Sequence, residues 1–132
     1  MEIHYKLDRE ITVDEFIDIL RRSSLGARRP INDLECMKSM LNHGNLLVTA
    51  WNGASLVGVA RSLTDYTYAC YMSELAVDEA YQRMGIGKAL IEATLTQLGP
   101  KCKLRLIAAP AARDYYRKVG FQKNENCWEI VK

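Results

Sequence analysis

Apolar and polar positions change period several times along this chain, and each change marks an element. Residues 3–7, Ile-His-Tyr-Lys-Leu, alternate as a half-buried strand does. Thr12 then offers an N-cap and Glu15 closes a capping box. Val13, Phe16, Ile17 and Leu20 follow at helical spacing, with Asp14, Asp18 and Arg22 on the opposite side. Gly26 and Pro30 interrupt this amphipathic helix, and Leu34, Met37 and Leu41 predict a second short helix capped by Asn32 and ended near Gly44. Two runs of strand formers, 46–51 and 56–61, flank Asn52-Gly53, a pair that tolerates positive φ, so they are expected as antiparallel neighbours in a hairpin. A third strand, about 68–77, returns after the polar turn at Thr64-Asp65. From Ile86 the pattern is helical: Lys88, Glu92 and Thr96 form one polar stripe, and Ala89, Leu90, Ile91, Ala93, Leu95 and Leu98 fill most of the rest, which predicts a largely buried helix. Gly99-Pro100 stops it; residues 103–107 alternate as a strand, Pro110 opens a short helix to about Val119, and residues 121–131 are read as the last strands. The predicted order is β-α-α-β-β-β-α-β-α-β.

Composition narrows this picture. A chain of 132 residues, 48% of them hydrophobic, fits one domain over residues 1–132 with one core. No apolar run approaches the roughly 18 residues of a membrane span and no basic-then-apolar leader opens the chain, so the expectation is a cytoplasmic protein without a membrane partner. A net charge of +2 is too small to imply a nucleic-acid surface. Arg21, Arg22, Arg28 and Arg29 nevertheless concentrate charge in a short interval, either as a solvated face or as the border of an acceptor entrance that favours anionic molecules over polycations. Cys36, Cys70, Cys102 and Cys127 are scattered, without a Cys-x-x-Cys pair and far in sequence from His4 and His43. They read as core thiols, and no metal site is expected.

The chemistry concentrates where the third strand meets the buried helix. Leu75-Ala76-Val77-Asp78 runs into Gln82-Arg83-Met84-Gly85-Ile86-Gly87-Lys88, two closely spaced glycines between a strand and a helix. Glycine lets backbone pass close to a ligand, and the first helical turn presents unpaired N–H groups to an anion, so a pyrophosphate is the expected guest. A P-loop requires Gly and Ser or Thr where Gln82 and Ala89 stand, and a Rossmann fingerprint requires a third glycine where Leu90 stands. Neither motif fits.

The remaining pattern, Gln-x-x-Gly-x-Gly after Leu-Ala-Val-Asp, resembles the acetyl-coenzyme A signature of the GCN5-related N-acetyltransferases (GNATs). A second stretch, Ala112-Arg113-Asp114-Tyr115-Tyr116-Arg117-Lys118-Val119-Gly120-Phe121, is similar to that family's final helix and the Gly-Phe that follows it. The element order matches the family too, which implies an α/β (α+β) fold: a mixed, mostly antiparallel sheet with helices on both faces, the first helix pair forming one wall of the acceptor site.

What the resemblance implies about function is specific. The chain is expected to transfer acetyl from acetyl-CoA, used as cosubstrate without a metal, directly to the primary amine of a small molecule. Protein lysines or N-termini as acceptors, another acyl donor, and a non-catalytic CoA-binding module are the alternatives. A homodimer is compatible with this reading. Backbone groups of Leu75, Ala76 and Val77 would hold the pantetheine arm and polarise the thioester, and residues 82–88, namely Gln82, Arg83, Met84, Gly85, Ile86, Gly87 and Lys88, would cradle the pyrophosphate. Tyr116 aligns with the family's proton donor to the departing thiolate, while Tyr115, in the usual Phe position, would pack against the sheet. The family often has an Asn where this chain has Ala109. For the base, Glu74 is the nearest carboxylate before the cradle, but strict alternation puts it opposite Tyr71 and Ser73 unless a bulge intervenes. Tyr71, Ser73 and ordered water are the other candidates. Asp78 reads as a turn-capping residue.

Overall fold

A computed structural model describes all residues, Met1–Lys132. Five strands, β1 (Ile3–Leu7), β2 (Leu46–Asn52), β3 (Ser55–Thr64), β4 (Ala69–Val77) and β5 (Lys103–Arg105), form one sheet in the order β1-β2-β3-β4-β5. The first four are antiparallel neighbours, and β5 pairs parallel to β4. Helices α1 (Val13–Arg22) and α2 (Leu34–His43) cover one face, α3 (Ile86–Thr96) the other, and α4 (Arg113–Lys118) follows β5.

Local chemistry explains most boundaries. Thr12 and Glu15 close the expected capping box on α1, with Thr12 Oγ1 accepting from the Glu15 N–H at 3.1 Å and Glu15 from the Thr12 N–H at 2.9 Å. The cap of α2 is Asp33, one residue later than expected: its carboxylate accepts from the Cys36 N–H, a stronger acceptor than the neighbouring Asn32 amide. A 3₁₀ helix, Ser24–Arg28, bridges the two helices where the sequence showed only an interruption. Gly53, at φ 58°, turns the β2–β3 hairpin.

Two apolar clusters sandwich the sheet. Phe16, Ile19, Leu20 and Met37 of α1 and α2 pack on Leu47, Val59 and Ala76. Ile86, Leu90 and Ile91 of α3 pack on Val48, Val57, Ala60 and Met72. Burying each of these large side chains contributes roughly 1.5–3 kcal/mol. No helix is long and apolar enough to cross a membrane.

The expected last strands do not form. Beyond α4 the chain has no strand partner, and Trp128, Ile130 and Val131 are 91%, 97% and 82% exposed. Their strand-forming composition is real, but β5 is only three residues long and presents too short an edge to hold another strand. Cys127, expected in the core, is exposed for the same reason, whereas Cys70 is buried; all four cysteines are free.

Candidate active site

The site begins with an irregularity in β4. Its register against β3 shifts between Arg61 and Ser62, which pair with Glu74 and Met72, so Ser73 is an extra residue opposite no partner. Met72 consequently faces α3, while Glu74 lies on the side of α1 and α2, the face that strict alternation would have denied it. Pairing of β4 with β5 stops at Tyr71 and Arg105. Beyond that point the two segments diverge around a cavity of about 640 Å³, walled on one side by Ser73, Leu75, Ala76 and Val77 and on the other by Leu106 and Ile107. That volume lies within the range of small-ligand sites.

At one end the cavity reaches the glycine turn. Asp78 caps a short 3₁₀ turn, accepting from the Ala80 N–H at 2.8 Å as its turn-capping reading expected. Arg22 of α1 holds the same carboxylate at 2.5 Å and the Leu56 carbonyl at 2.6 Å, clasping α1 to the end of β4. Burial works against the charge on Arg22, but its hydrogen bonds to Asp78 and Asp18 outweigh this and raise its pKa. Gly85, at φ 79°, occupies the N-cap of α3 and supplies no side-chain acceptor, so the first-turn N–H groups of that helix open onto the cavity side without a cap. Leu75, Ala76, Val77, Gln82, Arg83, Gly85, Ile86, Gly87 and Lys88 all line the cavity. Met84 does not: the positive φ of Arg83 and of Gly85 on either side turns it outward, and it is 52% exposed.

Two tyrosines of α4 close the opposite wall. Tyr116 is half-buried, edge-on to Tyr115 at 5.4 Å and to Phe121 at 5.5 Å between ring centres. Burial pushes its phenol above the ordinary value, the neighbouring Tyr115 adds to the shift, and Arg29 opposes it. Tyr115, expected to pack against the sheet, is the more exposed of the two; its hydroxyl sits where a side chain on Gly87 would be. Both rings thus stand on the cavity wall. Ala109 also lines the cavity and offers no amide there.

Glu74 is 1% exposed and fully engaged. Its Oε1 accepts from Arg61 Nε at 2.5 Å; its Oε2 accepts from Arg29 Nε at 2.7 Å and from Ser73 Oγ at 2.9 Å. Arg61 also donates to the Met40 carbonyl at 2.7 Å, and Arg29 donates to the Ser73 carbonyl at 2.7 Å and to the Arg28 carbonyl at 2.9 Å. Glu74 therefore anchors two guanidiniums, and it is absent from the cavity lining.

Comparison with known proteins accords with this architecture. Residues 25–129 match the acetyltransferase (GNAT) domain family. The chain belongs to the GNAT family. Its fold overlays a GNAT family acetyltransferase of Streptococcus pneumoniae TIGR4 with a TM-score of 0.80 at 20% identity, covering 99% of this chain and 97% of that one. The aminoglycoside N-acetyltransferase AAC(6')-Iy, solved in complex with CoA, gives a TM-score of 0.74 at 14% identity over 99% of this chain and 95% of that one. In sequence, the histone acetyltransferase TAP1 of Glycine max is 33% identical over 69 residues, 51% of this chain and 30% of TAP1. The GNAT chain thus spans less than a third of that relative's length.

In this GNAT domain the site contains two residues that the motifs did not reveal. Arg61 lies in an apolar run, Val57 to Leu63, at a register position facing the helices, and an ionisable residue there demands a buried partner. That signal was legible. The selection of Arg29 from four nearby arginines was not, because it depends on the 3₁₀ helix that turns Arg29 inward while leaving Arg21 and Arg28 exposed. The cavity also fits a coenzyme arm: the uncapped α3 terminus and the basic pair Arg83 and Lys88 supply donors at one end, and the unpaired edge of β4 runs from there to Tyr116.

Proposed function

We propose that residues 1–132 form an acetyl-CoA-dependent N-acetyltransferase unit that moves acetyl directly to the primary amine of a small molecule. The divergence of β4 from β5 carries this reading. It joins an uncapped helix terminus suited to pyrophosphate, an open strand edge suited to the pantetheine arm, and a protonated phenol in one cavity. Residues Gln82, Arg83, Gly85, Ile86, Gly87 and Lys88 would hold the pyrophosphate, and the β4 edge at Leu75, Ala76 and Val77 would hold the arm and donate an N–H to the thioester carbonyl. A preorganised donor of that kind is worth about 3 kcal/mol in the transition state.

No cysteine lines the cavity, which supports direct transfer in a ternary complex. The acceptor nitrogen forms the new N–C bond as the C–S bond breaks; Tyr116 gives its proton to the departing thiolate and regains one from solvent. A phenol of ordinary pKa near 10 already holds that proton at neutral pH, and burial raises the value further. The amine proton leaves to water. Glu74 has both oxygens committed to arginines and Ser73, and Tyr71 stands outside the cavity lining, so Glu74 is assigned as a positioning residue.

A second reading, acetylation of protein lysines, draws on the likeness to TAP1. The test is thermal unfolding with acetyl-CoA, NAD and Mg²⁺-ATP, followed by an amine screen that reads released thiol. Acetyl-CoA alone should raise Tm, and a small amine should release thiol faster than a lysine peptide. Equal stabilisation by ATP, or turnover confined to the peptide, would overturn the proposal.

A further inference from the structure

We propose that the acceptor is an amine that also carries a carboxylate, and that Arg29 binds this carboxylate. The inference rests on the acetyltransferase reading and names its substrate class. Twenty-four residues line the cavity, and none is Asp or Glu; its charged members are Arg29, Arg83 and Lys88. Arg83 and Lys88 stand at the glycine turn, where the pyrophosphate reading uses them. Arg29 enters from the other wall, at the end of the 3₁₀ helix that follows α1, beside Ser23, Ser24 and Leu25.

Arg29 is only half balanced within the protein. Arg61, 6% exposed in its side chain, and Arg29, 21% exposed, share one carboxylate, that of Glu74. Two cations and one anion leave a surplus positive charge beside the cavity, and the more accessible guanidinium is the one that lines it. One carboxylate does not balance two partly or fully buried guanidiniums, so a second anion at Arg29 would be favoured.

The donors of Arg29 are also held and counted. A guanidinium has five N–H groups. Three are used: Nε on Glu74 at 2.7 Å, one terminal nitrogen on the Arg28 carbonyl at 2.9 Å, and the other on the Ser73 carbonyl at 2.7 Å. Each terminal nitrogen therefore keeps one N–H for a further acceptor, for which a carboxylate is the charge-matched partner. Three fixed contacts orient the fork before a ligand arrives, so little rotamer entropy remains to be lost on binding. Arg29 and Tyr116 line the same cavity, so an anion held by Arg29 would share that space with the phenol. A polycationic amine, by contrast, would enter a cavity with only basic charged groups.

Probes that keep or lose the carboxylate test this assignment: γ-aminobutyrate against γ-aminobutyramide and putrescine, phenylalanine against phenylalaninamide and phenethylamine, and kanamycin as polycation. Two readouts are taken on the wild type and on R29Q and R29K. The first is kcat/KM from thiol release with acetyl-CoA. The second is calorimetric affinity of the CoA-loaded protein for N-acetylphenylalanine and its amide, which needs no turnover. The expected result is that a carboxylate member exceeds its amide by about tenfold or more in either readout, that R29Q brings the ratio near one, and that R29K restores part of it, a lysine lacking the fork. Preference for the carboxylate in binding without any turnover would sustain the anion subsite and remove the enzyme. Turnover with equal use of both members, or faster turnover of putrescine or kanamycin, would overturn the anion subsite and leave the acetyltransferase standing. Absence of any carboxylate preference in both readouts would overturn it as well. If R29Q does not fold, the wild-type ratios decide the carboxylate preference and R29K decides the assignment: a ratio unchanged from wild type in R29K would overturn the role of Arg29.

Discussion

Tyr116 and Glu74 occupy opposite sides of one chemical problem, and single substitutions separate their roles. Replacing Tyr116 by Phe keeps the ring between Tyr115 and Phe121 and removes only the hydroxyl. The fold should be unaffected, and kcat should fall roughly 10²-fold with acetyl-CoA affinity nearly unchanged. Because burial raises the folded-state pKa of this phenol, the protonated form persists as pH climbs through the ordinary value near 10, and the acid-dependent rate should decline only above it. A near-normal kcat for Y116F, with chemistry shown to limit turnover, would remove the phenol from the mechanism.

Glu74→Gln gives a different signature. It leaves two arginines around a neutral amide, a loss of about 3 kcal/mol or on the order of 10 °C in Tm. A full-strength Tm alongside abolished kcat would instead identify Glu74 as the base. The resemblance had singled out Tyr116, and its place just before the cradle had singled out Glu74, but sequence spacing carried no trace of what surrounds them. The partners of Glu74 come from β3 and from the helix junction, 13 and 45 positions away.

At the scale of elements, the strand-to-helix turn was the most legible part of the chain. Its period change and its two glycines are local, and α3 begins at Ile86 as expected. Gly87 adds a constraint that only the structure shows, since a side chain there meets the Tyr115 hydroxyl. Gly87→Val should therefore displace α4 as well as crowd the coenzyme path. Acetyl-CoA binding by calorimetry should be lost while far-ultraviolet circular dichroism stays close to wild type; retained affinity would mean that the coenzyme passes elsewhere. The N-caps of α1 and α2 were read to within one residue, because capping is local chemistry. The β4 bulge was foreseen only as a possibility of the family, since no residue pattern distinguishes Ser73 from its neighbours.

At the scale of the whole molecule, the element order was legible up to α4 and failed after it. Strand propensity describes a segment, but a strand exists only where another edge receives it. Residues 124–132 touch neither apolar cluster and are exposed throughout. Their deletion should shift Tm by no more than a degree or two, as expected when no buried surface is lost. A much larger drop in scanning calorimetry would show that the tail packs in solution.

The extra residue in β4 also determines where the catalytic space comes from. Ser73 has no partner across the ladder, so its deletion would pair Glu74 and Met72 with Arg61 and Ser62 in an unbroken register, each still on its present face. Both halves of the core would survive, but the bend that carries β4 away from β5 would relax. Such a shortened chain should fold and yet bind no acetyl-CoA, an outcome that circular dichroism and calorimetry together would register. The cleft is thus a surplus of contour length, one residue longer on one strand than on its neighbour, and its width can change by insertion or deletion without altering a single core side chain.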